Sequence, residues 1–378
     1  MRRCIVNKTL KATVVVLVAA ALLLAASTAF AGASKEAGAS EASKKAEIEA
    51  GKAAQAKQTY KAYDEYLALA KAGKPFPGSP GKGKKLAFAN IVASFPFCQS
   101  VEKNIIEIAK LAGFADSDLI ILDNQVDATV GLRNADIILA KKPDGFLEFQ
   151  IDAKVNAIVG KKFAMAKIPV IAIDVEVPGS PFVGVDNYGA SYQTGEWIIE
   201  QIEKKWGGIA NVDLVMLGAT ETAGQAVLLR ALGTKDALID KYGKDVEAKI
   251  EMQHVGSTAE SAQPVFAAML AKHPGVQKVV ISSVNDQTIR GGISAVQAVG
   301  SLDRENIIFV AQGCDDSGIE MLRNKELDGD LAYFPEHYGW YCVSAIVAMM
   351  QGEPVPPYMF VENVMITPDN VGKWYPKK

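Results

Sequence analysis

The sequence contains few of the residues on which enzyme and metal chemistry depends. Its three histidines, His254, His273 and His337, stand far apart and lack the spacing of metal ligands. Neither a Gly-x-Gly-x-x-Gly motif nor a phosphate-cradling loop ending in Lys-Ser/Thr follows the first apolar strand. Gly-x-Ser-x-Gly, which a nucleophile elbow needs, is also absent. We therefore expect no catalytic residue, no metal and no cofactor.

Cysteine and surplus positive charge are also scarce. The four cysteines are too few and too scattered for a disulfide framework, so Cys98, Cys314 and Cys342 are expected to be buried packing residues. Whether any two of these three form a disulfide is left open by the sequence. The chain has 40 Lys and Arg against 43 Asp and Glu, a formal net charge of −3. This balance argues against a nucleic-acid partner, which would require basic patches.

The N-terminus has the pattern of a secretory signal. Four positive residues precede an apolar run over residues 12–26, and Ala29-Phe30-Ala31 offers a small-residue cleavage site. Cys4 lies before the apolar run, not after it where a lipid anchor would be attached. We therefore interpret residues 1–31 as a cleavable signal and expect a soluble protein in the periplasm. The alternative is an uncleaved anchor, because the apolar stretch approaches the length of a membrane span.

Cleavage after residue 31 would lower the formal net charge from −3 to −7 and leave 347 residues, enough for two domains. Residues 32–84 form a separate piece, rich in Ala, Lys, Glu and Ser. Within it, residues 43–71 have strong helix propensity and a stripe of Tyr and Leu, which favours a helix docked on the body. Residues 73–83 form a Pro/Gly linker. We expect this extension to be dispensable for ligand binding.

From Lys85 onward, strands and helices alternate. Strands are predicted near 86–92, 118–123, 144–149 and 169–174, with helices near 97–112, 127–141 and 153–166. A short strand at 182–185 and a helix at 190–206 lead to a second series, with strands near 212–217, 247–254, 277–283, 306–311 and 329–334. Such alternation predicts parallel sheets covered by helices. Two successive α/β lobes with a binding crevice between them are the simplest architecture.

Several stretches carry a family resemblance. They are residues 86–99, Asp144-Gly145-Phe146-Leu147, Ile168-Pro169-Val170-Ile171-Ala172-Ile173-Asp174, Val183-Gly184-Val185-Asp186-Asn187-Tyr188 and Val280-Ile281-Ser282-Ser283-Val284-Asn285-Asp286. In this order the chain resembles the ribose-binding-protein-like branch of periplasmic solute-binding proteins. The resemblance implies an α/β fold of type I, with two Rossmann-like lobes joined by a three-segment hinge. It places 85–185 and 335–362 in the N-terminal lobe, and 186–334 and 363–378 in the C-terminal lobe.

Aromatic and polar residues at strand ends are the candidate ligand contacts. Phe95 and Phe97 follow the first strand, where they either stack on a ring-shaped ligand or cap the core. The acid that matches Asp174 in the resembled family accepts hydrogen bonds from sugar hydroxyls; the alternative is a helix cap. Asn285 matches the family's amide at a strand end of the second lobe, and Asp286 beside it is expected to be the N-cap of the following helix.

Other candidates are less well defined. Glu148 falls within an apolar strand, where an unpaired carboxylate is costly, so it either faces the cleft or pairs with a lysine such as Lys161. Val175 stands where the family often has arginine. Further departures from the pattern add four candidates to the site: Gln225 at a position where a sugar-clamping arginine is common, Gln312 or Asp315 in place of an acid that aligns with Gly313, and Tyr333 in place of a polar hinge residue. The cleft is therefore expected to be less charged and more aromatic than a ribose site.

The leading hypothesis is a monomeric periplasmic receptor for an ABC importer. Its two lobes would close on a small neutral ligand, a sugar or polyol, and present it to the permease. The alternative is a ligand-sensing module that reports to a chemoreceptor or membrane sensor kinase. A DNA-binding repressor of similar fold is excluded, because the predicted signal occupies the place of its helix-turn-helix.

Overall fold

The computed structural model describes residues 58–220 and 224–377, together with Ala46 and Glu49, but not the side chains of residues 225 and 226. The predicted signal at 1–31 lies outside the described residues. Across the described part of the chain, no helix has the length and apolar character needed to cross a membrane.

The first half of the chain builds one α/β lobe. Its elements are α1 (Lys61–Lys71), β1 (Leu86–Asn90), α2 (Pro96–Leu111), β2 (Leu119–Asp123), α3 (Ala128–Lys141), β3 (Gly145–Glu148), α4 (Ala153–Ala166), β4 (Val170–Ile173) and β5 (Phe182–Gly184). The second lobe follows with α5 (Asn187–Trp206), β6 (Leu214–Ala219), α6 (Gly224–Tyr242), β7 (Ile250–His254), α7 (Ala259–Lys272), β8 (Val279–Ser282), α8 (Asp286–Val299), β9 (Ile307–Gly313), α9 (Asp316–Arg323) and β10 (Gly329–Ala332). The C-terminal part contributes α10 (Tyr338–Met350), β11 (Tyr358–Phe360), β12 (Val364–Ile366) and α11 (Val371–Trp374).

Two six-stranded sheets organise these elements. The sheet of the first lobe has the order β11-β5-β4-β3-β1-β2, with every pair parallel. The sheet of the second lobe has the order β12-β10-β9-β8-β6-β7, in which only the β10–β12 pair is antiparallel. The chain passes between the sheets after β5, after β10 and between β11 and β12. The prediction of two α/β lobes with parallel sheets is confirmed.

The sequence specifies these elements locally. The strands β1, β3 and β9 are buried along their whole length, as expected for parallel strands covered on both faces. Several helices begin at a side-chain cap: Asp127 accepts from the N–H of Val130, and Asp152 accepts from those of Lys154 and Val155. Each cap follows a strand end, so the chain turns into its helix at the edge of the sheet where the cleft forms.

The N-terminal extension packs on the first lobe. In α1, Tyr63 and Tyr66 are buried; Tyr66 stacks on Phe76 with ring centroids 4.8 Å apart and donates a hydrogen bond to Gln351 at 2.9 Å. The aromatic stripe therefore docks the helix, as the sequence suggested, although the helix begins at Lys61. Of the predicted helical stretch 43–57, only Ala46 and Glu49 lie within the described residues, and both are helical.

The cysteines of the described chain are packing residues. Cys98, Cys314 and Cys342 are all buried and carry free thiols. Burial is the largest cause of the raised pKa of each thiol. They are therefore in the protonated form that packs like a small apolar side chain.

Candidate functional site

A cavity opens where strand ends of the two sheets face each other. Its volume is about 100 Å³, and a single water needs only about 10–15 Å³ on the same measure, so the space accommodates a molecule of several heavy atoms. Residues of both lobes line it: Ile91, Phe95, Phe97, Cys98, Val126, Phe149, Ile151, Asp174 and Val175 from the first, and Val227, Arg230, Ser257, Asn285, Asp286, Gln287, Gln312, Gly313, Asp315 and Tyr333 from the second.

Most residues singled out in the sequence meet at this cavity. The ones that line it are Phe95, Phe97, Asp174, Asn285, Gln312, Asp315 and Tyr333. Gln225 lies in the first turn of α6, but its side chain is outside the described part of the structure. Glu148 is not a lining residue. Positions separated by more than 200 residues in sequence therefore share one concave surface, the usual form of a small-molecule site.

Asp174 supplies the carboxylate of the first-lobe wall. It directly follows β4 with a left-handed φ of 55°, and its Oδ1 accepts a hydrogen bond from the Tyr338 hydroxyl at 2.9 Å. Burial raises the pKa of this carboxyl; the positive charge of Arg230 and hydrogen bonds from Tyr338 and the Val185 N–H oppose that rise without cancelling it. No helix follows within the next few residues, so the contacts of Asp174 are those of a cleft residue rather than a helix cap.

Arg230 supplies the positive charge of the opposite wall, and the sequence analysis did not identify it. Its Nε donates to Asn187 Oδ1 at 3.0 Å and its Nη1 donates to the Val284 carbonyl at 3.1 Å. The guanidinium lies over the Tyr333 ring, 5.0 Å from the centroid. An arginine inside the apolar run 227–232 of α6 was the available signal, because a buried guanidinium requires dedicated partners.

Gln312 and Tyr333 reinforce this wall. The Tyr333 hydroxyl donates to Gln312 Oε1 at 2.5 Å, and Gln312 Nε2 donates to the Arg230 carbonyl at 3.2 Å. Both side chains are almost fully buried. Arg230 is thus held from its ring side and from its backbone, which fixes the guanidinium before any ligand arrives.

Asn285 and Asp286 exchange the roles expected from sequence. The N-cap of α8 is Asn285, whose Oδ1 accepts from the Thr288 N–H at 2.8 Å. Asp286 is the first helical residue, and its Oδ2 accepts from the Asp315 N–H at 2.9 Å. The expectation that Asp286 caps the helix was therefore wrong, because the extended backbone of Asn285, with φ of −160°, places its side chain over the first turn.

One hydrogen bond crosses the cleft directly. Asp315 N-caps α9 through its Oδ1, which accepts from the backbone of Ser317 and Gly318. Its Oδ2 accepts from the Phe97 N–H at 3.3 Å, at the first turn of α2 in the other lobe. The N-cap residue of α2, Phe95, offers no side-chain acceptor, so the carboxylate of Asp315 serves an otherwise open helix N-terminus.

The aromatic residues of the first lobe form one side of the cavity. The Phe97 ring lies 5.6 Å from Tyr338 in an edge-on arrangement and 6.5 Å from Phe149. Phe95 and Phe97 both pack against the core of the first lobe as well as lining the cavity. The two alternatives considered for these rings, ligand contact and core cap, are therefore compatible.

Glu148 follows neither of its two expected alternatives. It is 1 % exposed, it does not line the cavity, and neither of its carboxylate oxygens has a hydrogen-bond partner, on Lys161 or any other described residue. The period-two alternation of β3 places it on the same side as Phe146, in the core under α3 and α4. Burial raises the pKa of this carboxyl well above its usual range, which favours the neutral acid.

The site offers hydrogen bonding from two sides. Asp174 presents an acceptor from the first lobe, and Arg230 presents donors from the second. Within the described part of the chain, no three His, Cys, Asp or Glu side chains are grouped so that they could hold a metal ion. The geometry suits reversible capture of a small molecule that both donates and accepts hydrogen bonds.

Comparison with solved structures shows the same fold. A periplasmic solute-binding protein of an ABC transporter from Actinobacillus succinogenes, with bound D-allose, is 18 % identical, with a TM-score of 0.65 over 77 % of this chain and 99 % of that one. The myo-inositol-binding protein of Caulobacter is 17 % identical, with a TM-score of 0.65 over 79 % and 97 %. A fructose-binding periplasmic domain of a hybrid two-component system is 16 % identical, with a TM-score of 0.66 over 77 % and 93 %.

Comparison at the level of sequence gives a family model but no curated relative. Among curated proteins, none matches this chain. A family model, the periplasmic binding protein domain, matches residues 86–354, which extend from β1 to just past α10 and include five of the six strands of each sheet. The resemblance inferred from the sequence is confirmed, and the chain belongs to the periplasmic binding protein family.

Proposed function

We propose that this protein captures a small neutral sugar or polyol by closing its two lobes, and that it delivers this ligand, as a monomer in the periplasm, to the permease of an ABC importer. The supporting structural relatives bind D-allose and myo-inositol, and the first of them is an ABC transporter protein. A ligand that contacts both lobes stabilises the closed form only through those differential contacts.

The observation that carries this proposal is the pairing of Asp174 with Arg230 on opposite walls. The Asp174 carboxylate accepts from the Tyr338 hydroxyl and the Val185 N–H and has further lone pairs for a ligand donor. Arg230 uses Nε and Nη1 within its wall, which leaves Nη2 for a ligand acceptor. A sugar hydroxyl donates and accepts, so neighbouring hydroxyls satisfy both walls. The opposite charges of Asp174 and Arg230 face each other, and the other two lining acids, Asp286 and Asp315, already accept from backbone N–H groups, so the site favours a ligand without net charge. Phe97 and Phe149 suit the C–H face of a ring.

A thermal-shift screen tests the proposal. The panel contains pentoses, hexoses including D-allose, inositols and linear polyols, with amino acids and organic acids as charged comparators. A ligand at 100 times its dissociation constant stabilises the protein by about 2.7 kcal/mol. We expect a neutral sugar or polyol to do so, and Asp174→Ala to abolish the shift. Stabilisation by a charged ligand alone would contradict the proposal.

A sensory role is the second candidate, favoured by one observation. The fructose-binding relative is a domain of a hybrid two-component system, so this fold also serves signal transduction. N-terminal sequencing of the protein from its native membrane and periplasmic fractions separates the two. Cleavage after Ala31 supports a free transport receptor, whereas retention of residues 1–31 supports a tethered sensor.

A further inference from the structure

Two aspartates meet in the interior of the second lobe, behind its cleft wall. Asp286 begins α8 and lines the cavity, and Asp330 lies in β10; they are 2 % and 0 % exposed. Asp286 Oδ2 accepts from the Asp315 N–H at 2.9 Å, and Asp330 Oδ1 accepts from the Cys314 N–H at 3.1 Å. The remaining oxygens, Asp286 Oδ1 and Asp330 Oδ2, are buried and have no donor.

These two orphaned oxygens converge on the same space. A β-carbon at Gly318 would collide with both Asp286 Oδ1 and Asp330 Oδ2, so the glycine leaves room for the two carboxyl groups to approach. Two ionised carboxylates at one buried site repel each other strongly. A single proton turns one of the two oxygens into a donor and satisfies both at once, because a protonated carboxyl donates one hydrogen bond.

We propose that Asp286 and Asp330 share one proton, and that this proton positions the β9–α9 loop whose residue Asp315 bridges the two lobes. The pair accepts from consecutive N–H groups of that loop, those of Cys314 and Asp315. The loop in turn presents Asp315 Oδ2 to the Phe97 N–H. That the bridge contributes to ligand capture rests on the proposed function, whereas the shared proton does not.

The surroundings of the pair are acidic or neutral. The titratable groups that interact with it are Asp315 and Cys314 from the loop, Tyr333 after β10 and Tyr375 after α11. Glu336, from the turn before α10, interacts with Cys314 and Tyr375. Burial, then repulsion by Asp330 and Asp315, raises the pKa of Asp286 well above its usual range. Burial also raises the pKa of Asp330, to about 7.

The sign of the pH effect follows from these raised pKa values. Between the unfolded pKa of about 4 and the folded pKa of about 7, the folded pair holds a proton that the unfolded chain has released. The stabilisation is complete below the lower value and is lost as the pH rises through the upper one. One such proton increases the unfolding equilibrium constant about tenfold per pH unit in this window. Loss of the proton leaves two charges face to face and loosens the loop.

Infrared spectroscopy tests the shared proton without any ligand. The parent protein carries Glu148→Gln, because Glu148 is another buried carboxyl with a raised pKa. Spectra are compared as parent-minus-variant differences, because burial also raises the pKa values of Asp174 and Glu336. Asp330→Asn retains the shape and gives Asp286 a permanent N–H donor. We expect the parent to show a protonated-carboxyl C=O band that titrates near pH 7, and Asp330→Asn to lack it. Asp286→Asn should remove the same band.

X-ray scattering of the ligand-free protein tests the bridge. The radius of gyration of the parent should rise as the pH passes through about 7, whereas that of Asp330→Asn should stay constant. Equal expansion of both proteins overturns the proposal, and so does a parent-minus-variant difference spectrum without this band for both variants. If neither variant folds, the parent protein alone tests the proposal. A free energy of unfolding of the parent that does not fall between about pH 5 and 8 also overturns it. A sugar screen without hits leaves the infrared result unaffected and contradicts only the proposed function.

Discussion

The two walls of the cleft differ in how their polar groups are held. On the second-lobe wall, Arg230 is fixed by Asn187, Val284 and Tyr333, and Tyr333 is fixed in turn by Gln312. On the first-lobe wall, a single carboxylate, Asp174, stands among aromatic rings with one side-chain partner. The second lobe therefore presents a preorganised polar surface, and the first presents an apolar platform with one acceptor.

This difference indicates that the two lobes have separate roles in ligand binding. Side chains that are already fixed lose little conformational entropy when a ligand binds, so the second lobe should orient the ligand with little entropic penalty. Aromatic rings supply contact area and a flat shape, so the first lobe should select ring-shaped ligands. The hydrogen bond from the Phe97 N–H to Asp315 Oδ2 joins the two walls and fixes their relative position at this point.

Replacing Arg230 should disrupt the polar surface of the second-lobe wall and have the largest effect on ligand binding. Arg230→Met removes the ligand donor and leaves Asn187 Oδ1 and the Val284 carbonyl unpaired. Losing one partner of a buried, hydrogen-bonded charge typically costs about 2–5 kcal/mol of binding free energy. We expect calorimetric titration with the ligand found in the screen to show this loss, with a lower free energy of unfolding.

The matched control is Arg133→Met, which changes an exposed arginine of α3 that does not line the cavity. It should bind and unfold like the wild type. Unchanged affinity in Arg230→Met would place the ligand away from the second-lobe wall.

Asp174→Asn should weaken ligand binding by a smaller amount than Arg230→Met. The amide can still accept from Tyr338 but loses the charged acceptor, worth about 1.5–3 kcal/mol for a hydrogen bond to a charged group. Folding stability should be retained, because a buried charge is removed along with its desolvation cost. Titration calorimetry and thermal melts of the ligand-free protein measure the two quantities separately.

The pH dependence of binding sharpens this test. Asp174 binds as a carboxylate, so affinity should fall as the pH falls through its folded pKa, which is raised above 3.8. Tyr338→Phe removes a hydrogen bond that lowers this pKa, so the loss of affinity should then begin at a higher pH. Identical pH profiles for the two proteins would show that Tyr338 does not tune the carboxylate.

The fold followed from the sequence because its signals are local. Apolar runs such as 86–89 and 279–281 are recognisable as buried parallel strands, and acids such as Asp127 and Asp152 mark helix starts. The strand ends could then be placed at one edge of each sheet. Asp174 and Asn285 were found in this way, since the cleft forms where parallel strands end.

Arg230 and Glu148 could not be placed by the same reasoning. The partners of Arg230 lie at positions 187 and 284, so its burial depends on contacts between distant segments. Glu148 was expected to find the cleft or a lysine, yet the alternation of β3 turns it into the core. In both cases the residue type signalled an exception, but only the tertiary structure shows which groups surround it.

Substitutions of Asn285 should have the smallest effect, because this residue both caps α8 and lines the cleft. Its Oδ1 accepts from the N–H and the hydroxyl of Thr288, while its Nδ2 makes only a long contact with the Ser257 carbonyl at 3.4 Å. Asn285→Ala removes the cap of α8 and should lower the free energy of unfolding by about 0.5–2 kcal/mol, measured by urea denaturation.

Asn285→Asp separates the cap from the ligand contact. The carboxylate still accepts from Thr288 and favours the helix N-terminus, so stability should return to the wild-type level. Because Asp has no Nδ2 donor, affinity should stay as low as in Asn285→Ala if this donor reaches the ligand. Recovery of both properties in Asn285→Asp would show that Asn285 acts only as a cap, and that its Nδ2 does not reach the ligand.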